Sequence, residues 1–294
     1  MASLAIPMLD HRRGLLIGAI GGLIMTFDAP LLRLAQVETF TAVFWRGLFV
    51  FIGTLLLWAW LRYIQRRPTP LINGRDGIVI ALLHCIANVL FVSAMFNTAV
   101  ANVVFILALN PLFAALFSLV WLGERITLAT WLAMIAALIG VSIIVMGGIE
   151  SGSVKGDVLA LGSVMMIGFG LTYVRRSGKD LSLAPGPGSL LAALIALPFA
   201  ATLAIPMEKI TFLALDGLLV MPLASALLIA GARYLSAPEV AMFFLLETVL
   251  APVWIWLMIG EVPTLNTMIG GAVILVSLIA HAAYRLSRPP PLPR

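Results

Sequence analysis

Apolar residues in this chain come in nearly unbroken runs. They show neither the strict alternation of a half-buried strand nor the one-sided stripe of a soluble helix. Glycine, proline and charge clusters divide the chain into ten such runs, over 14–32, 38–58, 77–96, 100–122, 127–147, 157–175, 188–206, 213–232, 238–259 and 264–284. A helix needs about 20 apolar residues to cross the hydrocarbon of a bilayer, so each run predicts one transmembrane helix. The longest connection, 59–76, carries Arg62, Arg66, Arg67, Pro68, Pro70 and Arg75 and is too short for a soluble domain.

Composition narrows the class. Of 294 residues, 62% are hydrophobic and 11% charged, and the mean hydropathy is +1.11. A soluble fold could not hide that much apolar surface, which excludes a soluble enzyme, a nucleic-acid binder and a disordered chain. An outer-membrane barrel would alternate polar and apolar positions. The expected fold is an all-α polytopic membrane protein. The net charge of +5 reads as Lys and Arg held on the cytoplasmic side. With the N-terminus inside, 14 of the 18 Lys and Arg fall in cytoplasmic segments, against Arg33, Lys155 and Lys209 outside and Arg46 within the second run. Both termini are therefore expected to be cytoplasmic. The start, His11-Arg12-Arg13 and then an apolar run, has the look of a signal peptide. It ends in Thr26-Phe27-Asp28-Ala29-Pro30 without a small-x-small cleavage site and is read as the first span. Cys85, the only cysteine, reads as a small buried hydrophobe.

The two halves resemble each other. A shift of 137 residues lays runs four and five on runs nine and ten: Gly123-Glu124 meets Gly260-Glu261, and Thr127 meets Thr264. A shift of 142 matches Gly14, Phe27 and Arg33 to Gly156, Phe169 and Arg175. Each unit, 1–150 and 151–294, holds five spans. Five is odd, so the second unit must enter the membrane the other way round. Inverted repeats of this kind build two alternately opening sides around a midplane site in many secondary transporters.

Asn110-Pro111 in span four, the turn Leu122-Gly123-Glu124-Arg125, Trp131 and Gly140 in span five, and Phe44-Trp45-Arg46-Gly47 near the start of span two together resemble the drug/metabolite transporter superfamily, EamA type. The resemblance covers essentially the whole chain and is nearest to the YddG-type aromatic amino acid exporters. It implies ten helices as two inverted five-helix halves around a central cavity, and export of small metabolites across a bacterial inner membrane. Pro185-Gly186-Pro187-Gly188 stands where a counterpart of Arg46 would be, so the role of Arg46 is not duplicated.

Polar residues at mid-membrane depth are costly and usually face the interior or a wet cavity. His84, Asn88, Asn110 and Glu247 fall near the middle of their spans, and the 137 shift pairs Asn88 with Ser225 and Asn110 with Glu247. His84 and Asn88 share a helix face with Phe91 and Met95, and Phe243, Glu247 and Trp254 share another. Amide, imidazole and carboxylate with aromatic walls suit a zwitterion with an apolar side chain. The expected substrate-binding set is His84, Asn88, Asn110, Phe169, Ser225, Phe243 and Glu247. Phe169 enters it because the resemblance puts span six at the cavity. Alternatives stand beside each. Glu247 serves substrate or proton coupling, or helix–helix hydrogen bonding; His84 titrates, or is a neutral buried imidazole; Asn110 contacts substrate, or satisfies backbone freed by Pro111. Pro111 and Pro252 are read as hinges or static kinks. Asp28 and Arg46 are read as a structural ion pair or an external gate, with Glu38 competing for Arg46. Gly14, Gly18 and Gly22 predict close helix approach.

The chain carries no P-loop, HExxH or cysteine pair, so no ATP-driven step, metal or cofactor is expected. The expected function is secondary export of amino acids, aromatic and other apolar ones favoured, by alternating access in the inner membrane. The expected partners are that substrate and lipid, not nucleic acid. Another small metabolite or drug is the alternative. An intramembrane hydrolase or transferase would have to use His84 and needs clustered acids or a Ser/His pair at one depth, which the sequence does not show.

Overall fold

The computed structural model describes residues 8–66, 69–123, 128–151, 153–231 and 237–286. Glu124 and Thr127, half of the repeated Gly-Glu signature, lie outside them, as do Arg67, Pro68, Arg233, Arg288 and Arg294. The described residues are helical, without strands, and group into the ten expected segments.

The first segment is α1 (Met8–Met25) and α2 (Asp28–Ala35). The second is α3 (Thr39–Ala59), continued by a π-helical turn over Trp60–Ile64, and the third is α4 (Gly74–Met95). The fourth breaks into α5 (Val100–Leu107) and α6 (Asn110–Leu122). α7 (Leu128–Ser151) and α8 (Val154–Ser177) follow. α9 (Pro185–Ala196) ends in a short 3-10 turn, Leu197–Phe199, so the seventh segment is shorter than the apolar run 188–206. The eighth is α10 (Met207–Ala214), a π-helical stretch Leu215–Val220 and α11 (Met221–Gly231). α12 (Ala237–Ile259) and α13 (Leu265–Leu286) complete the chain. Among the described residues, five stretches are long and apolar enough to cross a membrane: Arg13–Ala35, Thr39–Ile64, Gly74–Met95, Val100–Trp121 and Val154–Val174. Exposed leucine, isoleucine and valine side chains line the outside of the bundle, as lipid requires.

The two prolines behave differently. Pro111 sits in the first turn of α6, where its missing N–H leaves no hydrogen bond unmade, and the helix is interrupted just before it. Pro252 lies inside α12, which runs through it.

Packing repeats with the sequence. α1 lies against α11 and α12, and α8 against α4 and α6. The opening helix of each half therefore packs on the third and fourth segments of the other. α3 packs on α9, and α7 on α13. The α7–α13 contact is reciprocal: a Cβ at Gly140 would stand 2.7 Å from the Gly270 carbonyl oxygen, and one at Gly270 2.5 Å from that of Gly140. Only glycines permit this approach. Gly123 (φ 67°) and Gly260 (φ 76°) are left-handed residues at the ends of α6 and α12, positions that favour glycine. Phe27 stacks on Trp254 at 5.3 Å, and Phe169 meets Phe117 edge-on at 5.3 Å. Position 27 maps to 169 under the 142 shift and 254 to 117 under the 137 shift, so the same inter-half aromatic contact occurs twice. Ten helices in two inverted repeats thus follow from both pattern and packing.

Candidate functional site

The polar interior is built around Arg46. Its Nη2 donates to Asp28 Oδ1 at 2.7 Å, its Nε to Asp216 Oδ2 at 2.7 Å and its Nη1 to Asn88 Oδ1 at 2.6 Å. The guanidinium carbon lies 5.4 Å from the Phe91 ring centroid, within cation–π range. Arg46 is 3% exposed, Asn88 3%, Asp28 4% and Asp216 0%. Asp28, Arg46 and Asn88 come from α2, α3 and α4 of the first half, and Asp216 from the π-helical stretch of the second. One guanidinium thereby ties the halves together. Glu247 on α12 lies within electrostatic reach of Asp28 and Arg46, and His84 within reach of Arg46.

Charges this deep persist only when paired and fully hydrogen-bonded. Here three carboxyl groups face one guanidinium, an excess of negative groups. Two polar atoms of the cluster, Asn88 Nδ2 and Asp216 Oδ1, are buried with no hydrogen-bond partner among the described residues. Such orphans are rare in native interiors and call for an explanation. One is a donor and the other an acceptor, the complement of a ligand bearing both a carboxylate and an ammonium.

The cluster has no twin in the second half. Position 188, which the 142 shift pairs with Arg46, is a glycine pressed against the Ala81 carbonyl, with no room for a side chain. Its neighbour Ser189 approaches His84 Nε2 at 3.1 Å and donates to the Pro185 carbonyl at 3.1 Å.

Of the residues expected from sequence, Asn88, Asp28 and Arg46 come into direct contact, with Glu247 and His84 near them. Glu38 does not compete for Arg46 in the described contacts: its carboxylate accepts the Phe40 and Thr41 amides at 2.9 Å and caps α3. Phe243 fills the notch at Gly18 and Gly22, so those glycines serve packing within the chain. Phe169 also stacks on Trp121 at 5.1 Å, beside Arg176, whose guanidinium lies 4.4 Å from the Trp121 ring. Asn110 opens α6 with its Oδ1 buried and unpartnered. Ser225 is half-buried on α11. Asp216 was absent from the expected set. Its signal was an aspartate near the start of the eighth apolar run.

Two further polar groups lie toward one end of the bundle. Arg33 pairs with Glu261 at 3.1 Å and donates to the Met95 carbonyl at 2.6 Å, while Glu261 accepts the Val100 amide at 2.9 Å. Nearby, buried Asp157 accepts from Thr98 at 2.7 Å and Asn102 at 3.0 Å, and Asn102 accepts from Thr267 at 2.6 Å. At the opposite end Asp76 accepts from Tyr173 at 2.7 Å and Lys179 at 2.6 Å. Among the described residues no group of three or more His, Cys, Asp or Glu could hold a metal.

Comparison with known proteins completes the picture. The profile of the EamA-like transporter family matches residues 12–146 and again 154–281. Two curated relatives bear the name pseudopaline exporter CntI. The one from Pseudomonas aeruginosa strain UCBPP-PA14 is 27% identical over 78% of this chain and 82% of its own length. The one from strain ATCC 15692 (PAO1) is 28% identical over the same shares. A solved crystal structure superposes with a TM-score of 0.66 at 16% identity, covering 95% of this chain and 100% of its own, a likeness of fold.

Proposed function

The chain belongs to the EamA-like transporter family, and from that premise we propose that it exports amino acids, aromatic and other apolar ones favoured, across the bacterial inner membrane by alternating access. The reading rests on Arg46, a buried guanidinium joined to both halves with an orphaned donor and acceptor beside it. Arg46 and Asn88 receive the substrate carboxylate. Asp28, Asp216 and Glu247 receive its ammonium. Because the aspartates come from different halves, substrate that replaces them on Arg46 loosens the tie between the halves. Differential interaction with the two arrangements is what a ligand must supply to shift such an equilibrium. The Arg33–Glu261 end is the external face and both termini are cytoplasmic, a reading the Lys and Arg distribution supports.

Export is also the activity in the names of the two relatives. Those names favour a second reading, in which the cargo is pseudopaline or a metabolite like it.

Purified protein in liposomes decides between them, with labelled phenylalanine, tryptophan, methionine, threonine and pseudopaline offered in turn. Saturable phenylalanine and tryptophan flux that falls at least tenfold in folded Arg46→Ala is expected. Flux of pseudopaline alone would establish the second reading.

A further inference from the structure

Away from the Arg46 cluster, one carboxyl group is buried without a basic partner. Asp157, in the first turn of α8, is 1% exposed. Its Oδ1 accepts the Thr98 hydroxyl at 2.7 Å and the Asn102 amide at 3.0 Å. Its Oδ2 is buried with no hydrogen-bond partner among the described residues. The ion pairs among those residues pass it by: Arg33, at the same end of the bundle, is held by Glu261. The helix N-terminus offers about half a positive charge, which falls short of one carboxylate. A charge buried this deeply has to be paired or neutralised.

The groups gathered at Asp157 offer oxygen and no spare donor. Both amide hydrogens of Asn102 are spent, one on Thr98 Oγ1 at 3.1 Å and one on Asp157. The Thr98 hydroxyl hydrogen goes to Asp157 and the Thr267 hydroxyl hydrogen to Asn102 Oδ1 at 2.6 Å. Hydroxyl and amide oxygens carry two lone pairs each, so Thr98 Oγ1 and Asn102 Oδ1 each keep one. A backbone oxygen also meets α8 here: a Cβ at Gly156 would stand 2.7 Å from the Asn97 carbonyl oxygen. Thr98, Asn102 and Thr267 are 6%, 4% and 1% exposed. A proton on Oδ2 would exchange an unmet acceptor for a donor that needs an acceptor of its own. A cation meets the lone pairs as they stand. Hard oxygen ligands suit hard cations. One carboxylate balances one positive charge, whereas a divalent ion would leave a second charge buried and uncompensated. The close packing at Gly156 favours sodium over the larger potassium.

We propose that Asp157 anchors a sodium site at the junction of the two halves, completed by the oxygens of Thr98, Asn102 and the Asn97 carbonyl. Asn97, Thr98 and Asn102 belong to the first half and Asp157 to the second. Sodium therefore binds the arrangement that joins the halves at this end and opposes their separation, since a ligand favours the state it binds better. The site is separate from Arg46 and holds whatever the cargo is.

Binding of radioactive sodium to the purified full chain in detergent tests the site without a variant. Saturable binding of one ion per chain, displaced by unlabelled sodium and far less by potassium or choline, is expected. No saturable binding, or displacement by potassium equal to that by sodium, overturns the proposal. Unfolding in sodium chloride against choline chloride at equal ionic strength gives a second readout. Sodium at about ten times its dissociation constant should shift the folding equilibrium about elevenfold in the unmodified protein and in Glu261→Gln, and leave Asp157→Asn unmoved. A stabilisation that choline reproduces, or that survives in folded Asp157→Asn, overturns the site.

Discussion

Replacing Arg46 by methionine keeps much of its volume and removes its charge. Three hydrogen bonds of 2.6–2.7 Å disappear, and Asp28 and Asp216, 4% and 0% exposed, are left facing each other with no cation between them. Breaking one side of a buried ion pair costs about 3–5 kcal/mol, or between about a hundredfold and a few thousandfold in the folding equilibrium. The combined variant Arg46→Met, Asp28→Asn, Asp216→Asn should recover most of it. Neutral replacements of buried ionic clusters are often close to harmless. Unfolding in mixed micelles of increasing denaturing detergent, followed by tryptophan fluorescence, measures all of these. Arg46→Met that matches the unmodified protein within about 0.5 kcal/mol, well under the value for a buried pair, would refute a buried cluster of this geometry.

Three further outcomes follow from other parts of the molecule. Glu261→Gln weakens the contact with Arg33 and with the Val100 amide; these groups are part-exposed, so stability should fall by about 1 kcal/mol or less, while a cysteine at buried Thr98 should react faster with a water-soluble maleimide. Gly270→Val drives a side chain into the Gly140 carbonyl and should cost roughly 1–3 kcal/mol; a thermal midpoint equal to that of the unmodified protein would show that α7 and α13 are not so close. Burial tends to raise the Glu38 carboxyl, yet hydrogen bonds from Phe40 and Thr41 hold it below its ordinary value. A lowered carboxyl contributes stability above its unfolded pKa of about 4.3 and loses it as pH falls through the folded one. Protection of the Phe40 and Thr41 amides, measured against their intrinsic exchange rates at each pH, should therefore fall in acid in the unmodified protein, with a flatter pH response in Glu38→Gln.

Hydropathy shows how many helices there are because it is a property of each run alone. The order of spans and the inverted repeat were legible for this reason. Gly123 and Gly260 match by sequence alone and share the left-handed conformation. The partners of a side chain are a different matter, since helix rotation and crossing decide them. Phe27 and Phe169 were recognised as equivalents, but nothing in the pattern pointed to Trp254 and Phe117 as the rings they meet. Asp28 and Arg46 pair by depth in adjacent spans, whereas Asp216 lies so near the start of its run that mid-span depth does not mark it. Its position at the centre of the cluster depends on the π-helical stretch Leu215–Val220, which hydropathy does not register. Phe243 illustrates the converse: it shares a face with Glu247, yet its ring fills the Gly18 notch.

The most direct test of the central proposal, that substrate sits on Arg46 between the halves, is a solid-state NMR distance measurement. Reconstituted protein carrying isotope-labelled arginine would be loaded with carboxyl-labelled phenylalanine. Magnetisation transfer at hydrogen-bonding range between the bound carboxyl carbon and a guanidinium nitrogen, present in the unmodified protein and absent in folded Arg46→Lys, is the predicted result. Phenylalanine that is bound and transported yet shows no such transfer, or shows it unchanged in Arg46→Lys, would contradict it.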